Sequence, residues 1–151
     1  MNIVYSNQPL PDDFKKTIFL AGPTSRENGI TKWRKDSIEV FKKLKYEGVV
    51  FIPEIRNGIF NNKYEEQIKW ETEMLKQSDC ILFWIDRKYS DGFTTNVEWG
   101  MYCKSGKAVI GFPKDSEKNR YIEMQCKNYL NLEVKYDLKN LIEDAIKMAK
   151  K

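Results

Sequence analysis

The sequence predicts a doubly wound α/β fold, in which a parallel sheet of four to five strands carries helices on both faces. Short runs of continuous apolar residues alternate along the chain with amphipathic stretches of about three helical turns. Strands without polar alternation are typical of parallel sheets that are covered on both faces. The 151 residues suffice for one domain with a sizeable core, so a single domain over 1–151 is expected.

Each expected element has its own sequence signal. The first strand is closed by Gly22 and Pro23, Gly48 ends the first helix, and Pro113 ends the last long strand. Strands are predicted at 17–21, 49–53, 80–85 and 108–112, with a short further strand near 132–136. Helices, where apolar residues recur at helical spacing, are predicted over 31–46, 64–77, 96–105 and 138–150.

Charge and composition exclude several classes of protein. The 26 Lys and Arg are scattered among 22 Asp and Glu, which is not the pattern of a nucleic-acid-binding surface. No stretch approaches the roughly 20 apolar residues of a bilayer-spanning helix, and Asp12, Asp13, Lys15 and Lys16 replace the apolar run of a signal peptide. We therefore expect a soluble, cytoplasmic protein without a nucleic-acid or membrane partner.

The sequence contains no histidine, which excludes Ser-His-Asp and Cys-His catalysis and the common imidazole zinc sites. Cys80, Cys103 and Cys126 are odd in number and far apart, and this pattern predicts reduced thiols rather than disulfides or a zinc site. Carboxylates are then left as acid and base. We expect no metal and no cofactor.

In doubly wound sheets, ligands bind beyond the carboxyl ends of the strands, so chemistry is expected in the loops there. After the first strand, Gly22 lets the backbone approach a ligand, while Thr24, Ser25 and Arg26 offer donors to hydroxyl or phosphate oxygens. An ordinary strand-to-helix turn explains the same residues, because no standard phosphate-binding glycine pattern is present.

Two glutamates are candidate catalytic residues. Glu98 falls in the expected first turn of a helix, where the helix dipole favours the ionised form that a nucleophile needs, although first turns favour acidic residues in any case. Glu71 follows Trp70 near the inward side of its helix, where desolvation raises the pKa of a general acid; a solvated glutamate is the alternative. Glu54 and Arg56, at the rim, either bind a ligand or pair with each other.

Two carboxylates facing one cleft, without histidine or a metal motif, are the groups that glycosyl transfer through a covalent intermediate requires. That chemistry needs the two carboxyl groups about 5 to 5.5 Å apart. Sequence spacing does not give this distance, so the pairing of Glu71 with Glu98 is a hypothesis about the fold.

Several segments together resemble the nucleoside 2-deoxyribosyltransferase-like family over residues 17–121. They are the strand and loop 18–23, the Trp70-Glu71 helix leading to Asp79, the strand 81–85, and Thr94-Thr95-Asn96-Val97-Glu98-Trp99-Gly100 followed by 105–107. The resemblance implies a flavodoxin-like fold and an enzyme of the nucleoside deoxyribosyltransferase or nucleotide N-glycosidase type. Such an enzyme cleaves the N-glycosidic bond of nucleosides or nucleotides and passes the sugar to another base or to water.

The resemblance also implies roles for single residues. Glu98 would be the nucleophile, and Glu71, where relatives commonly have an aspartate, would be the proton donor or a hydroxyl ligand. The remaining candidates would border the sugar and any 5′-phosphate (Gly22, Pro23, Ser25, Arg26) or position sugar hydroxyls and the nucleophile (Asp91, Asn96).

The segment Phe93-Thr94-Thr95-Asn96 replaces a shorter glycine-rich loop of the classical transferases, so the chain is more similar to a less characterised branch. A homo-oligomer, a dimer in the simplest case, is expected from the resemblance. The alternative function is a nucleotide-binding or sensing module with the same pocket and little or no turnover. A flavin carrier is a third option, although the loops lack a phosphate-cradling Ser/Thr/Gly run.

Overall fold

The computed structural model describes residues 1–6, 8–12, 14–25, 29–56 and 64–150. Within these ranges six strands form one sheet: β1 (Asn2–Tyr5), β2 (Thr17–Ala21), β3 (Val49–Ile52), β4 (Cys80–Trp84), β5 (Ala108–Gly111) and β6 (Val134–Lys135). The strand order is β1-β3-β2-β4-β5-β6, and every neighbouring pair is parallel. The doubly wound, flavodoxin-like fold is confirmed, but the strand number exceeds the expected four to five.

The additional strand is β1, which lies at the edge of the sheet and pairs with β3 alone. Its four residues alternate between exposed, half-buried and buried positions, so they lack the continuous apolar run that marks β2, β3 and β4. The short strand expected near 132–136 is present as β6.

The helices in the described part are α1 (Lys32–Lys43), α2 (Tyr64–Gln77), α3 (Phe93–Tyr102), α4 (Arg120–Gln125) and α5 (Leu138–Ala149). The bounds of α2 agree with the prediction, whereas α3 begins three residues earlier than expected. α4 was not predicted and continues into one π-helical turn, Cys126–Leu130. None of these helices has both the length and the apolar character needed to cross a bilayer.

Helices cover both faces of the sheet, which explains the uniformly apolar strands. On one face, Ile18 and Leu20 of β2 belong to a core with residues of α1 and α5. On the other face, Phe19 of β2 belongs to a core with Trp70 of α2 and Trp99 of α3. Because successive strand residues point to opposite faces, β2 has to be apolar throughout.

The loops after β2 and β4 meet at the carboxyl edge of the sheet. A Cβ atom at Gly22 would lie 2.3 Å from the carbonyl oxygen of Trp84, and one at Gly92 would lie 2.9 Å from Cγ of Pro23. The chain leaves β2 for β3 on one side and reaches β4 on the other, so this edge is the switch point where doubly wound folds bind ligands.

Candidate active site

The loop after β2 is built on the side chain of Arg34, in the first turn of α1. Arg34 is 1% exposed, and its guanidinium donates to the carbonyl oxygens of Leu20 (3.2 Å from Nη2) and Gly22 (2.8 Å). Its Nη1 also donates to Oγ1 of Thr24, at 3.0 Å. One buried cation therefore fixes the path of the backbone where β2 ends.

Glu54 compensates the charge of Arg34. Nη1 of Arg34 lies 2.8 Å from Oε1 of Glu54, and both side chains are buried. The Thr31 hydroxyl donates to Oε1 of Glu54, and the Thr31 backbone N–H donates to Oε2 at 3.0 Å. The expected pairing of Glu54 with Arg56 is wrong, because the Arg56 guanidinium instead lies 6.0 Å from the ring centre of Tyr5.

Glu54 is also one of the expected ligand-binding residues. Its carboxylate is 6% exposed, and both oxygens accept hydrogen bonds within the protein. These contacts stabilise the loop after β2, and a role of Glu54 in ligand binding stays a prediction. The pairing with Arg34 was not predicted, because Arg34 stands 20 residues earlier and on a different element.

The other predicted residues of this loop fall in three situations. Gly22 is buried where the Trp84 carbonyl and the Trp33 ring come close, so glycine here permits tight packing of the protein itself. Pro23 is buried, and its carbonyl oxygen accepts from Nε1 of Trp33 at 3.0 Å. Ser25 is half-buried, and its N–H donates to Oγ1 of Thr31 at 3.0 Å, while Arg26 lies outside the described residues.

Glu71 is half-buried on α2, as expected from its position beside Trp70. Burial raises its pKa, and a hydrogen bond from Gln67 together with the charge of Arg34 opposes this rise. Nε2 of Gln67 lies 2.6 Å from Oε1 of Glu71. The expected raised pKa of this carboxyl is therefore confirmed in direction and in cause.

Glu98 is half-buried on α3, but its electrostatic setting differs from the expected one. Because α3 begins at Phe93, Glu98 lies in the second turn, beyond the free N–H groups of the helix N-terminus. Burial and then the charge of Glu71 raise its pKa to about 8, against the opposing charge of Arg34. The expected stabilisation of its ionised form by the helix dipole is wrong.

Together, Glu71 and Glu98 form a pair of electrostatically coupled carboxyl groups. The charge of Glu71 raises the pKa of Glu98, and Arg34 lowers the pKa of both without cancelling the effect of burial. With a pKa of about 8, Glu98 retains a proton at neutral pH that a solvated carboxyl loses. One acid and one base, on α2 and α3, are the groups that general acid catalysis combined with nucleophilic attack requires.

Asp91 and Asn96 are brought together by Arg87, which the sequence analysis did not single out. Nη2 of Arg87 donates to Oδ1 of Asn96 at 3.0 Å, and Nη1 donates to the carbonyl oxygen of Asp91. The Asp91 carboxylate is exposed and lies 3.4 Å from Nζ of Lys118. It lines an open cleft of about 300 Å³ that the 86–91 loop forms with residues 115–118.

Arg34 and Gln67 are the site-building residues that the sequence analysis missed. A helical spacing signal existed for both. Arg34 stands four and seven residues before the buried Ile38 and Phe41, and Gln67 stands seven residues before the buried Met74. A polar side chain on the inward stripe of a helix predicts a buried hydrogen-bonding role.

Metal binding has no visible support in the described residues, where no group of three or more Asp, Glu or Cys side chains is arranged to hold an ion. The three cysteines are free; Cys80 and Cys126 are buried and Cys103 is half-buried. These thiols agree with the expected absence of disulfides.

These features define the class: a doubly wound α/β protein with coupled carboxyl groups near the switch point of its sheet. The family model described as "Nucleoside 2-deoxyribosyltransferase like" matches residues 15–116, which is more than half of the chain. The chain belongs to this family, and the expected resemblance is confirmed. A comparison with curated proteins found no match. Family membership suggests glycosyl transfer on nucleosides as the kind of reaction and a nucleoside as the small-molecule substrate.

Proposed function

We propose that the protein cleaves or transfers at the N-glycosidic bond of a (deoxy)nucleoside or nucleoside monophosphate through a covalent glycosyl-enzyme on Glu98. The observation that carries the proposal is the electrostatic coupling of Glu71 and Glu98 in a half-buried setting. Family membership supports the substrate class.

The first step forms the glycosyl-enzyme. A carboxylate oxygen of Glu98 attacks C1′ of the sugar, and the new O–C1′ bond replaces the C1′–N bond to the base. The electron pair of the broken bond goes to the base nitrogen, and the proton of Glu71 neutralises the departing base. The reactive form is the one with the proton on Glu71 and with Glu98 ionised; because the pKa of Glu98 is about 8, this form is the minor one in the free protein at neutral pH.

The second step releases the sugar from Glu98. An acceptor base, or water, attacks C1′ while Glu71, now ionised, takes a proton from the attacking group. The C1′–O bond breaks and Glu98 leaves as a carboxylate. In this proposal Asp91 and Asn96 position sugar hydroxyls or the Glu98 carboxylate, and Glu54 is a further ligand contact. The residues that border the sugar and any 5′-phosphate are Gly22, Pro23, Ser25 and Arg26.

The test is product analysis with a panel of deoxynucleosides and deoxynucleotides, with and without an acceptor base. We expect release of free base by the unmodified protein and a loss of at least about 1,000-fold in Glu98→Gln, since the nucleophile is removed. Glu73→Gln is the matched control, because Glu73 is exposed on the same helix as Glu71. Equal background release by all three proteins would remove the proposal.

A trapping experiment assigns the nucleophile. A 2-fluoro-substituted nucleoside slows both the formation and the hydrolysis of the glycosyl-enzyme, and a good leaving group restores the rate of formation. The glycosyl-enzyme then accumulates, and mass spectrometry identifies the labelled peptide. We expect the label on Glu98. A label on Glu71 would reverse the two roles. This outcome has to be tested because a carboxyl with a pKa of about 8, such as Glu98, is also suited to act as the acid.

The alternative, a nucleotide-binding or sensing module, makes a different prediction for the same protein. Calorimetry would then detect binding of a deoxynucleotide, and no base would be released over long incubation. Turnover by the unmodified protein and its loss in Glu98→Gln exclude this alternative.

A homo-oligomer in the cytoplasm remains part of the proposal. Oligomer formation is supported by an apolar stripe on α3, the helix that carries Glu98, where Phe93, Val97 and Met101 are 77%, 63% and 65% exposed at four-residue spacing. Sedimentation velocity checks the oligomeric state, and a monomer at all concentrations tested would contradict it.

A further inference from the structure

A chain of hydrogen bonds runs from the end of β1 to Glu71. Oγ of Ser6 donates to Oε1 of Gln67 at 2.6 Å, and Nε2 of Gln67 donates to Oε1 of Glu71 at 2.6 Å. Nε2 also donates to the carbonyl oxygen of Pro53 at 3.2 Å. Ser6 is 4% exposed, and its backbone N–H is held by the carbonyl oxygen of Glu54 at 3.1 Å.

These contacts fix the orientation of the Gln67 amide. Its oxygen accepts from the Ser6 hydroxyl, and one hydrogen of its nitrogen goes to the Pro53 carbonyl oxygen, which has no proton to offer in return. A flipped amide would place its oxygen against that carbonyl, so the observed orientation, with the second hydrogen on Oε1 of Glu71, is the favoured one. Gln67 therefore faces Glu71 as a donor only.

A donor held against one carboxyl oxygen decides where the proton of that carboxyl resides. When Glu71 is protonated, Oε1 accepts from Gln67, so the acidic hydrogen is carried by Oε2. The hydrogen bond from Gln67 goes to Oε1, so Oε2 is the oxygen that the inference assigns to the ligand.

We propose that Gln67, oriented by Ser6, is a positioning residue that keeps the transferable proton of Glu71 on Oε2. The inference rests on the proposed function, because it assumes that Glu71 protonates the departing base. The cation that acts on both Glu71 and Glu98, Arg34, belongs to α1 and remains in place when Gln67 is changed.

The experiment compares two substrates that differ in their need for an acid. One is the natural type, a deoxynucleoside whose base must be protonated to leave; the other is a 2-deoxyriboside of 4-nitrophenol, whose leaving group departs as an anion. For Gln67→Met, which keeps the packing volume, we expect kcat for the nucleoside to fall about tenfold or more with little change in KM. For the nitrophenyl substrate we expect no comparable loss.

Ser6→Ala and Gln77→Met complete the design. Ser6→Ala leaves Gln67 in place but removes the group that orients its amide, so the same selective loss is expected at a smaller size. Gln77 is exposed at the end of the same helix, and Gln77→Met should leave both substrates unaffected. Urea unfolding of each variant shows that the measured protein is folded.

The outcomes separate this inference from the function it rests on. Equal losses on both substrates, or no loss on either, in folded Gln67→Met and Ser6→Ala would overturn the positioning role while the proposed function stands. An unmodified protein that cleaves neither substrate would overturn the proposed function and the inference together.

Discussion

Two neighbouring regions of ionisable side chains differ in how their charges are balanced. One is the ion pair of Arg34 with Glu54, and the other is the pair of like groups Glu71 and Glu98. The Arg34 guanidinium and the Glu54 carboxylate are buried, 2.8 Å apart, and hydrogen-bonded to carbonyls, a hydroxyl and an N–H group. Glu71 and Glu98 are half-buried carboxyls of like charge, and the charge of Glu71 disfavours ionisation of Glu98. The first region stabilises a loop, whereas in the second region burial raises the pKa of both carboxyl groups.

The comparison teaches that burial alone does not indicate a catalytic carboxylate. Glu54 is more buried than Glu71 or Glu98, yet its charge is matched by a cation and by two donors from Thr31. The signal for function is burial without matching compensation, because this combination shifts the pKa toward neutrality. The following predictions test the contrast in order of expected size.

The largest effect is expected from Arg34→Met. The change leaves Glu54 buried without a cation and removes the donors to three oxygens of the β2 loop, so the free energy of unfolding should fall by about 3–5 kcal/mol. Urea denaturation measures it. The control Lys42→Met breaks the exposed pair with Glu39, which should cost no more than about 1 kcal/mol. Equal losses in the two variants would contradict the contrast.

The same substitution placed in each region should have unequal effects. Glu54→Gln removes the charge facing Arg34 and should cost about 1.5–3 kcal/mol of unfolding free energy. Glu71→Gln removes a charge that burial already disfavours, and its amide oxygen can still accept from Gln67, so little loss of stability is expected. Thermal unfolding of both proteins at pH 7 checks this. A larger loss of stability in Glu71→Gln than in Glu54→Gln would contradict the view that Glu54 is the carboxylate whose charge is balanced within the protein.

A pair of glycines offers a further matched test. Gly22→Ala would place a Cβ 2.3 Å from the Trp84 carbonyl oxygen, and such overpacking costs about 1–3 kcal/mol. Gly100→Ala, on α3, meets open space and should raise stability by about 0.5–1 kcal/mol through helix propensity. Chemical denaturation measures the change in the free energy of unfolding of each variant, and so its sign. Destabilisation by both changes to a similar extent would contradict the close approach at Gly22.

The last prediction is gradual, because it is a change of stability with pH rather than a loss at one pH. The pKa of Glu98 is about 8 in the folded protein and 4.5 in its ordinary state, so the folded state holds more protons than the unfolded state between these values. Stability from this group is then lost as pH rises, by about 1.3 kcal/mol per unit between pH 6 and 7. Glu98→Gln should remove that part of the slope. Parallel slopes for the two proteins in urea unfolding would exclude a raised pKa.

Local sequence signals were sufficient where they act within one element. The bounds of α2 agree with the prediction because acidic residues occupy its first turn and apolar residues recur to its end. The start of α3 was missed because Gly92 takes a left-handed conformation, φ 68°, and no side chain caps the helix. The edge strand β1 was missed because it lacks the continuous apolar run of β2, β3 and β4.

The sequence by itself determined the doubly wound fold, the loops at which chemistry is expected, and carboxylates as the acidic groups available without histidine. These properties follow from residue order and residue type. Only the tertiary structure decided that Glu54 pairs with Arg34 and that Glu71 faces the charge of Glu98. The reason is that desolvation and Coulomb energies depend on distances through space between elements, which residue spacing along the chain does not encode.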